Sequence, residues 1–476
     1  MSGLLPRFPL RSSLSRAGLL HRKARRFLYG FVAASLTASP LCASPVLLIS
    51  IDGLRPTDVQ NAPARQLRLP NLSAIFADGT HAQGVIGVLP SFTLPSHVTL
   101  LTGVSPAKHG VYNNLAFLPQ NAGGAPGLGL GSAIKAQTLW EAAHGAGLRT
   151  LSVNWPVSLG ARGLDFNIGG NFVAPGSTQD DDRFNRLLST PGLADRLERE
   201  IGPIRLVTRH GAAGEGEDEK IAARLIADER PDLATIHFGG LDEAEHTYGP
   251  GSPEAKAALE TIDTYIGQLV AAARAARSDT VVAIVSDHGF TAVTREVNLP
   301  RAFVDAGLIK IDGAGKLVSW EAAPWAAGGS AAVILARPDD KELAARVAAL
   351  LDRLKADPAL GIEEVLDAGE LARRGGFPGA SFGVTYRLDT TGPAARPLSQ
   401  PLLSPAVQKG THGHSPAHRE LYSTFIVTGP GVPVGRDLGV IDMRSIAPTL
   451  AALLGTGLPQ AEAPSLWPAW APSKAR

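Results

Sequence analysis

Pro45-Val-Leu-Leu-Ile-Ser-Ile-Asp-Gly53 is a nearly unbroken apolar run closed by an aspartate and a glycine. Such a run, without polar alternation, is the pattern of a strand buried on both faces, and it leaves Asp52 at the C-terminal end. The same pattern predicts strands at 149–153, 232–238, 280–286 and 423–427. Apolar residues at helical spacing predict helices at 138–147, 217–229, 253–277, 340–356 and 446–454. Thr138 followed three residues later by Glu141 is a capping signal for the first of these. Helix and strand alternate, so the pattern predicts an α/β fold, a doubly wound and mostly parallel sheet covered on both faces.

The stretch Leu89-Pro-Ser-Phe-Thr-Leu-Pro-Ser-His-Val-Thr-Leu-Leu-Thr-Gly103 departs from this regularity. It begins as a proline-broken, hydroxyl-rich loop and runs into apolar residues that pack a helix onto a sheet. A hydroxyl at the mouth of such a helix sits where backbone N–H groups point outward and an anion is welcome. Thr93 is at its centre, although Ser91, Ser96 and Thr99 offer the same chemistry.

Strand ends are where open α/β sheets collect ligands. Three polar clusters stand there: Asp52, then Asp242 with His246, then Asp287-His288. Asp242 and His246 are four apart and share one face of a helical turn. Gly289 permits a tight turn after Asp287-His288, and His412 lies between the small neighbours Thr411 and Gly413. Imidazoles and carboxylates are the ligands of a divalent ion such as zinc.

Composition narrows the reading. With 44% hydrophobic residues the chain fills a core. The net charge of +1 conceals an asymmetry, because Arg7, Arg11, Arg16, Arg22, Lys23, Arg25 and Arg26 all lie in residues 1–43, where no acidic residue occurs. The remainder holds 38 basic against 44 acidic residues, a net charge of −6. That sign excludes the bulk basic surface of a nucleic-acid binder. The basic head is followed by Phe27-Leu-Tyr-Gly-Phe-Val-Ala-Ala-Ser-Leu-Thr-Ala38, too short to span a bilayer comfortably, and by small residues up to Ala43. This predicts a signal peptide, 1–43, and an exported protein, periplasmic or secreted, with no membrane span in the mature chain. The sole cysteine, Cys42, leaves with it. The rest divides into a core (44–290 and 406–458), an inserted cap-like region (291–405) and a peripheral tail (459–476).

Taken together, several blocks identify a resemblance. Ile51-Asp-Gly-Leu-Arg55, Thr99-Leu-Leu-Thr-Gly103, Pro106-Ala-Lys-His-Gly-Val-Tyr-Asn-Asn114, Leu241-Asp-Glu-Ala-Glu-His-Thr-Tyr-Gly-Pro250, Ser286-Asp-His-Gly289 and Gly410-Thr-His-Gly413 follow one another in family order. The chain resembles the alkaline phosphatase superfamily, in its type I phosphodiesterase/nucleotide pyrophosphatase branch. The resemblance implies two zinc ions, with manganese or iron as alternatives. Asp242, His246 and His412 would hold one; Asp52, Thr93, Asp287 and His288 the other. It implies Thr93 as nucleophile and a covalent threonyl-phosphoryl intermediate. Asn114 and the backbone N–H of Leu94 would bind phosphate oxygens. Three aspartates and a threonine alkoxide would balance the four charges of two divalent ions.

The substrate implied is a small-molecule phosphate diester. Family members often carry an aromatic after the nucleophile, able to stack on a base, where this chain has Leu94. Trp155, Phe166, Phe172 and Tyr248 are candidate walls of a leaving-group pocket. The runner-up is a phosphomonoesterase of the same superfamily, with Arg149 or Arg162 as the added clamp on a dianion. A catalytically silent binding protein would have lost a ligand or the nucleophile, and none is lost. A sulfatase is excluded, because Thr93-Leu-Pro-Ser-His97 lacks the cysteine or serine that is modified.

Overall fold

β1 (Val46–Ile51) lies at the middle of a seven-stranded sheet, and its register explains the unbroken apolar run. Leu47, Ile49 and Ile51 enter one apolar layer while Val46 and Leu48 enter the opposite one. A strand buried on both faces can carry no polar alternation. The computed structural model describes residues 43–119, 129–170, 179–206, 212–393 and 396–467. The expected signal segment up to Cys42, most of the glycine-rich stretch 123–131, Phe172 and the end of the tail lie outside the described residues.

The other strands are β2 (Thr80–His81), β3 (Thr150–Val153), β4 (Phe166–Ile168), β5 (Leu233–Phe238), β6 (Val281–Val285) and β7 (Phe425–Thr428). Their order in the sheet is β2-β7-β6-β1-β5-β3-β4, and β7 runs antiparallel to both its neighbours while the rest are parallel. Ser50 pairs with His237 on one side and Val285 on the other, so β1, β5 and β6 end level. Asp52, the turn after Phe238, and Asp287 therefore arise along one edge.

Helices Ala212–Glu229 and Pro253–Ala276 cover one face through Ile221, Leu225, Leu259, Ile262 and Ile266. Helices Leu139–Gly145 and Ile446–Leu453 cover the other through Leu139, Trp140, Ile446 and Leu450. Each such side chain contributes about 1.5–3 kcal/mol relative to exposure, against roughly 0–1 kcal/mol for an exposed ion pair. The two apolar layers, rather than the surface charges, hold the sheet. Thr138 and Glu141 form the expected reciprocal cap.

Between β6 and β7 the chain builds a second, antiparallel sheet in the order Ala322–Ala327, Ser330–Leu335, Phe382–Tyr386, Ile362–Asp367. Helix Lys341–Ala356 packs on it through Val347 and Leu351. In this region the sequence predicts only the helix at 340–356 and a strand at 381–388. Ala322–Ala327 and Ser330–Leu335 are alanine-rich and carry no period of two, and Ile362–Asp367 has adjacent glutamates that break the alternation, so their pairing comes from tertiary context.

Candidate active site

Helix α1 (Thr93–Thr102) begins at Thr93, which is 3% exposed, after an extended Phe92. Leu100 and Leu101 bury against the sheet, which aims the N-terminus of α1 at the level strand ends. Thr93's carbonyl accepts from His97 Nδ1 at 2.9 Å, and that nitrogen lies 3.6 Å from Asp287 Oδ2. The nucleophile candidate is thus tied by its own backbone to the β6 cluster. His97 Nε2 faces the Ser50 hydroxyl at 2.8 Å; since Nδ1 is the donor to a carbonyl, Ser50 donates to Nε2.

The structure shows where both the side chain and the backbone of Leu94 are directed. The side chain of Leu94 points into an apolar cluster with Val98, Val111, Ile134 and Val157, so it presents nothing to a substrate. A residue one past the helix start, on the face shared with Val98, is drawn inward by that packing. The Leu94 N–H is engaged too: it donates to Asn114 Oδ1 at 2.8 Å. Asn114 consequently has its carbonyl oxygen occupied and its NH2 left as donor. Its own N–H donates to Asn113 Oδ1, and Asn113 Nδ2 donates to Ala326 O, which fixes the loop to the inserted sheet.

The six other ligand candidates come together. Asp242 and His246 lie on α2 (Gly240–Tyr248), with His246 Nε2 3.4 Å from Asp242 Oδ2. His412 Nε2 is 3.5 Å from Asp242 Oδ1, and His288 Nε2 is 3.4 Å from Asp52 Oδ1 and 3.0 Å from Asp287 Oδ2. The His288 and His412 rings stack with centroids 3.5 Å apart. Ligand atoms of Asp242, His288 and His412 lie within 4.8 Å of one another, as do those of Asp52, Asp287 and His288. His288 stands between two potential centres.

The histidines share one orientation. Nδ1 of His246, His288 and His412 faces the carbonyl of Gly410, Gly289 and Ser91 respectively, at 2.9, 3.1 and 3.1 Å. A carbonyl only accepts, so Nδ1 carries the proton in each and Nε2 offers its lone pair to the pocket. Asp287 Oδ1 accepts from the Gly53 and His288 N–H groups, which turns Oδ2 inward. Asp52 Oδ1 and Oδ2, Asp242 Oδ1, Asp287 Oδ2 and His288 Nε2 are buried with no hydrogen-bond partner in the chain. Lone pairs that face each other at such distances repel unless a cation lies among them, and this donor set suits divalent ions.

The electrostatics agree. Burial, and then Asp287 and Asp242, hold the Asp52 carboxyl well above the usual carboxylate range. Burial pushes Asp287 the same way, but His288 and His97 outweigh it and hold Asp287 well below that range. Burial opposes a charged His288, yet Asp287 raises its affinity for a proton. Burial, then His288 and His246, keep His412 neutral. Opposed shifts within one pocket are the pattern expected of a candidate functional centre. Asp242 and His246 have side chains 19% and 21% exposed, against 0–3% for the other four, so the pocket opens on their side.

Residues first considered for other roles also find places. Trp155 is fully buried with its edge to His97, and Phe166 packs against the core; Tyr248 is 55% exposed. Arg149 pairs with Glu229 and Arg162 with Glu141, away from the pocket. His109 bonds Thr99, His414 bonds the Thr390 carbonyl, and burial lowers their pKa values to about 3 and about 4. His418 pairs with Glu363. Sequence reasoning missed His237, whose Nε2 lies 3.6 Å from Asp52 Oδ2. Its place opposite Ser50 in the sheet register was the available signal.

The inserted sheet reaches the pocket through the turn Gly328-Gly329, where the Gly329 N–H donates to the His412 carbonyl at 2.8 Å. A Cβ on Gly328, whose φ is +60°, would stand 2.3 Å from that carbonyl oxygen. Gly307 also has positive φ, +71°, but nothing within 4 Å of a Cβ. Gly307→Ala is expected to cost about 1 kcal/mol of unfolding free energy from backbone strain alone. Gly328→Ala should cost at least about 2 kcal/mol and also displace His412. Denaturant titration of the two variants checks the difference.

The model of the type I phosphodiesterase / nucleotide pyrophosphatase family matches residues 46–380. Ectonucleotide pyrophosphatase/phosphodiesterase family member 7 of Homo sapiens is 28% identical over 278 residues, which cover 56% of this chain and 54% of that protein. Venom phosphodiesterase 2 of Crotalus adamanteus is 24% identical over 262 residues, 53% of this chain and 27% of that protein. The chain thus spans about half or less of the length of these curated relatives. Human ectonucleotide pyrophosphatase / phosphodiesterase 5 superposes with a TM-score of 0.62 at 16% identity, over 90% of this chain and 100% of that one. An inactive threonine-to-alanine variant of the murine protein, in complex with AMP, gives 0.60 at 16% identity, over 87% of this chain and 96% of that one. At these identities the structural likeness establishes the alkaline-phosphatase-type α/β fold.

Proposed function

Since the chain belongs to the type I phosphodiesterase / nucleotide pyrophosphatase family, we propose that it is an exported hydrolase of phosphate diesters, of nucleotide-type phosphodiester or pyrophosphate bonds, acting through Thr93. The observation that carries this reading is the pocket itself. Five buried donor atoms without hydrogen-bond partners and three histidines turned Nε2-inward share one pocket, to which Thr93 is linked through His97. No helix among the described residues is long and apolar enough to cross a membrane.

Asp242, His246 and His412 would hold one zinc ion, and Asp52, Thr93, Asp287 and His288 a second. When bound, such ions lower the pKa of a coordinated hydroxyl and neutralise charge on the attacking and leaving oxygens. The chain's own residues do the rest. Thr93 gives up its hydroxyl proton to solvent, its Oγ–P bond forms, and the bond from phosphorus to the leaving oxygen breaks in line, the leaving oxygen taking up a proton from solvent. Water then cleaves the Oγ–P bond and restores the Thr93 hydroxyl. Asn114, its carbonyl held by the Leu94 N–H, directs its NH2 to a non-bridging phosphate oxygen. His97 holds the Thr93 backbone in place for both steps. Asp242 and His246, on the open side, face the entering ester and the departing group.

A neutral amide as phosphate donor suits the single negative charge of a diester. A monoester dianion calls for an added cation, and the two arginines considered for that task are paired elsewhere. The nucleotide character of the substrate rests on the relatives, which include the variant in complex with AMP. Purified protein should hydrolyse a bis-aryl phosphate at least about tenfold more efficiently than the corresponding aryl phosphate, by kcat/KM. Equal or greater efficiency on the monoester would make the protein a phosphomonoesterase.

A further inference from the structure

Asp52 follows β1, whereas Asp242 and His246 ride on α2, about 190 residues later in the chain (Arg55 and Glu245 are that far apart). Two ligand-bearing elements so remote in sequence need something to fix their separation, because a displacement of about 1 Å in a supporting element spoils a site. On one side α2 is tied to the loop of His412. His246 Nδ1 donates to Gly410 O, and the Lys409 N–H donates to His246 O at 2.8 Å. On the side of β1 the tie is a buried side-chain pair.

Arg55 springs from a turn anchored at several points. The Gly53 N–H donates to Asp287 Oδ1, and the hydroxyls of Ser286 and Thr424 both donate to Leu54 O. The guanidinium is then oriented by Asp58, through Nε at 2.9 Å and NH2 at 3.2 Å. The same NH2 group reaches Glu245 Oε1 at 3.1 Å. Glu245 lies on α2 between Asp242 and His246 and its side chain is 1% exposed. Gly53, with φ +75°, permits this closeness: a Cβ there would stand 3.3 Å from Glu245 Oε2 and 3.1 Å from the Phe290 ring. Arg65 completes the group by pairing with Asp58 at 2.8 Å. Arg55 and Arg65 thus face Asp58 and Glu245 in one cluster, in which burial raises the Glu245 carboxyl well above the usual carboxylate range.

We infer that Arg55 and Glu245 are positioning residues that clamp α2 to the turn after β1 and set the register between Asp52 and the Asp242–His246 pair. Neither touches a ligand ion or substrate; both act through the backbone that carries the ligands. The inference rests on the two-ion reading of the pocket. A planar fork is required, since one group must satisfy Asp58 and Glu245 together, which a lysine ammonium does poorly.

The test measures zinc bound per chain and its affinity, by competition with a chromophoric chelator, alongside the melting temperature of the metal-free protein. Wild type is expected to bind two zinc ions. Arg55→Met and Glu245→Ala are expected to bind one of them at least about tenfold more weakly, with Arg55→Lys in between. Glu245→Gln keeps an acceptor for Arg55 and should stay within about threefold of wild type. The metal-free Glu245→Gln and Glu245→Ala proteins are compared at temperatures where both are folded, so the pair decides the matter even if Arg55→Met does not fold. Wild-type affinity in Arg55→Met and Glu245→Ala, or equal losses in Glu245→Gln and Glu245→Ala, would overturn the clamp while leaving the two-ion pocket intact. A wild-type chain that binds no zinc would overturn both.

Discussion

Thr93→Ala is expected to lower kcat on a diester by at least about a thousandfold while leaving zinc binding at Asp242, His246 and His412 in place. Only Thr93 combines the helix start with a backbone tie to His97 and, through His97, a link to Asp287. Of the other hydroxyls of the loop, Ser91 donates to His414 O and Thr99 donates to Pro95 O, whereas Ser96 Oγ is buried without a hydrogen-bond partner. Ser96 is neither at the helix start nor tied to His97 through its carbonyl, so it is not expected to take over when the Thr93 hydroxyl is removed. Substrate affinity should change little, because Asn114 and its Leu94 partner are untouched. Turnover within tenfold of wild type would require another nucleophile.

Asp52→Asn is expected to separate stability from activity, with opposite signs. Asp52 is 1% exposed and both its oxygens are without hydrogen-bond partners. Burial, Asp287 and Asp242 raise its carboxyl well above the usual range, so an ionised Asp52 opposes folding when no cation is bound. That penalty grows as pH rises from the unfolded-state value through the raised native one. The amide removes it, and at neutral pH the chelated variant should melt higher than chelated wild type, by on the order of 2 °C. With zinc the order reverses. Zinc at a hundredfold its dissociation constant stabilises wild type by about 2.7 kcal/mol, and Asp52→Asn should gain far less. Its activity should fall at least about a hundredfold, because a ligand is lost. Thermal scans with zinc and with a chelator read both signs. A chelated variant that melts lower than chelated wild type would contradict the assignment of Asp52.

The parts of the fold that read clearly from sequence are those where burial leaves a pattern. β1, β5 and β6 are buried on both faces, so their apolar runs stood out and carried Asp52 and Asp287 with them. Asp242 and His246 were legible from helical spacing. His412 was legible from its small neighbours and its family motif, since a histidine between small residues has no periodicity of its own. The alanine-rich strands of the inserted sheet left no pattern, and with them went the contact of Gly328-Gly329 with the His412 loop. The inward turn of Leu94 and its N–H bond to Asn114 depend on tertiary packing of residues 94, 111 and 157. Arg55 stood within a recognised block, but its partner Glu245 is 190 residues away and lay unremarked between two candidate ligands.

A covalent bond from Thr93 to phosphorus makes the proposed reaction two displacements. A phosphorothioate diester, chiral at phosphorus, hydrolysed in heavy-oxygen water, reads this directly. Each in-line displacement inverts the centre, and two in succession restore it. Retention of configuration is the predicted result; inversion would mean that water attacks directly and that Thr93 is not the nucleophile.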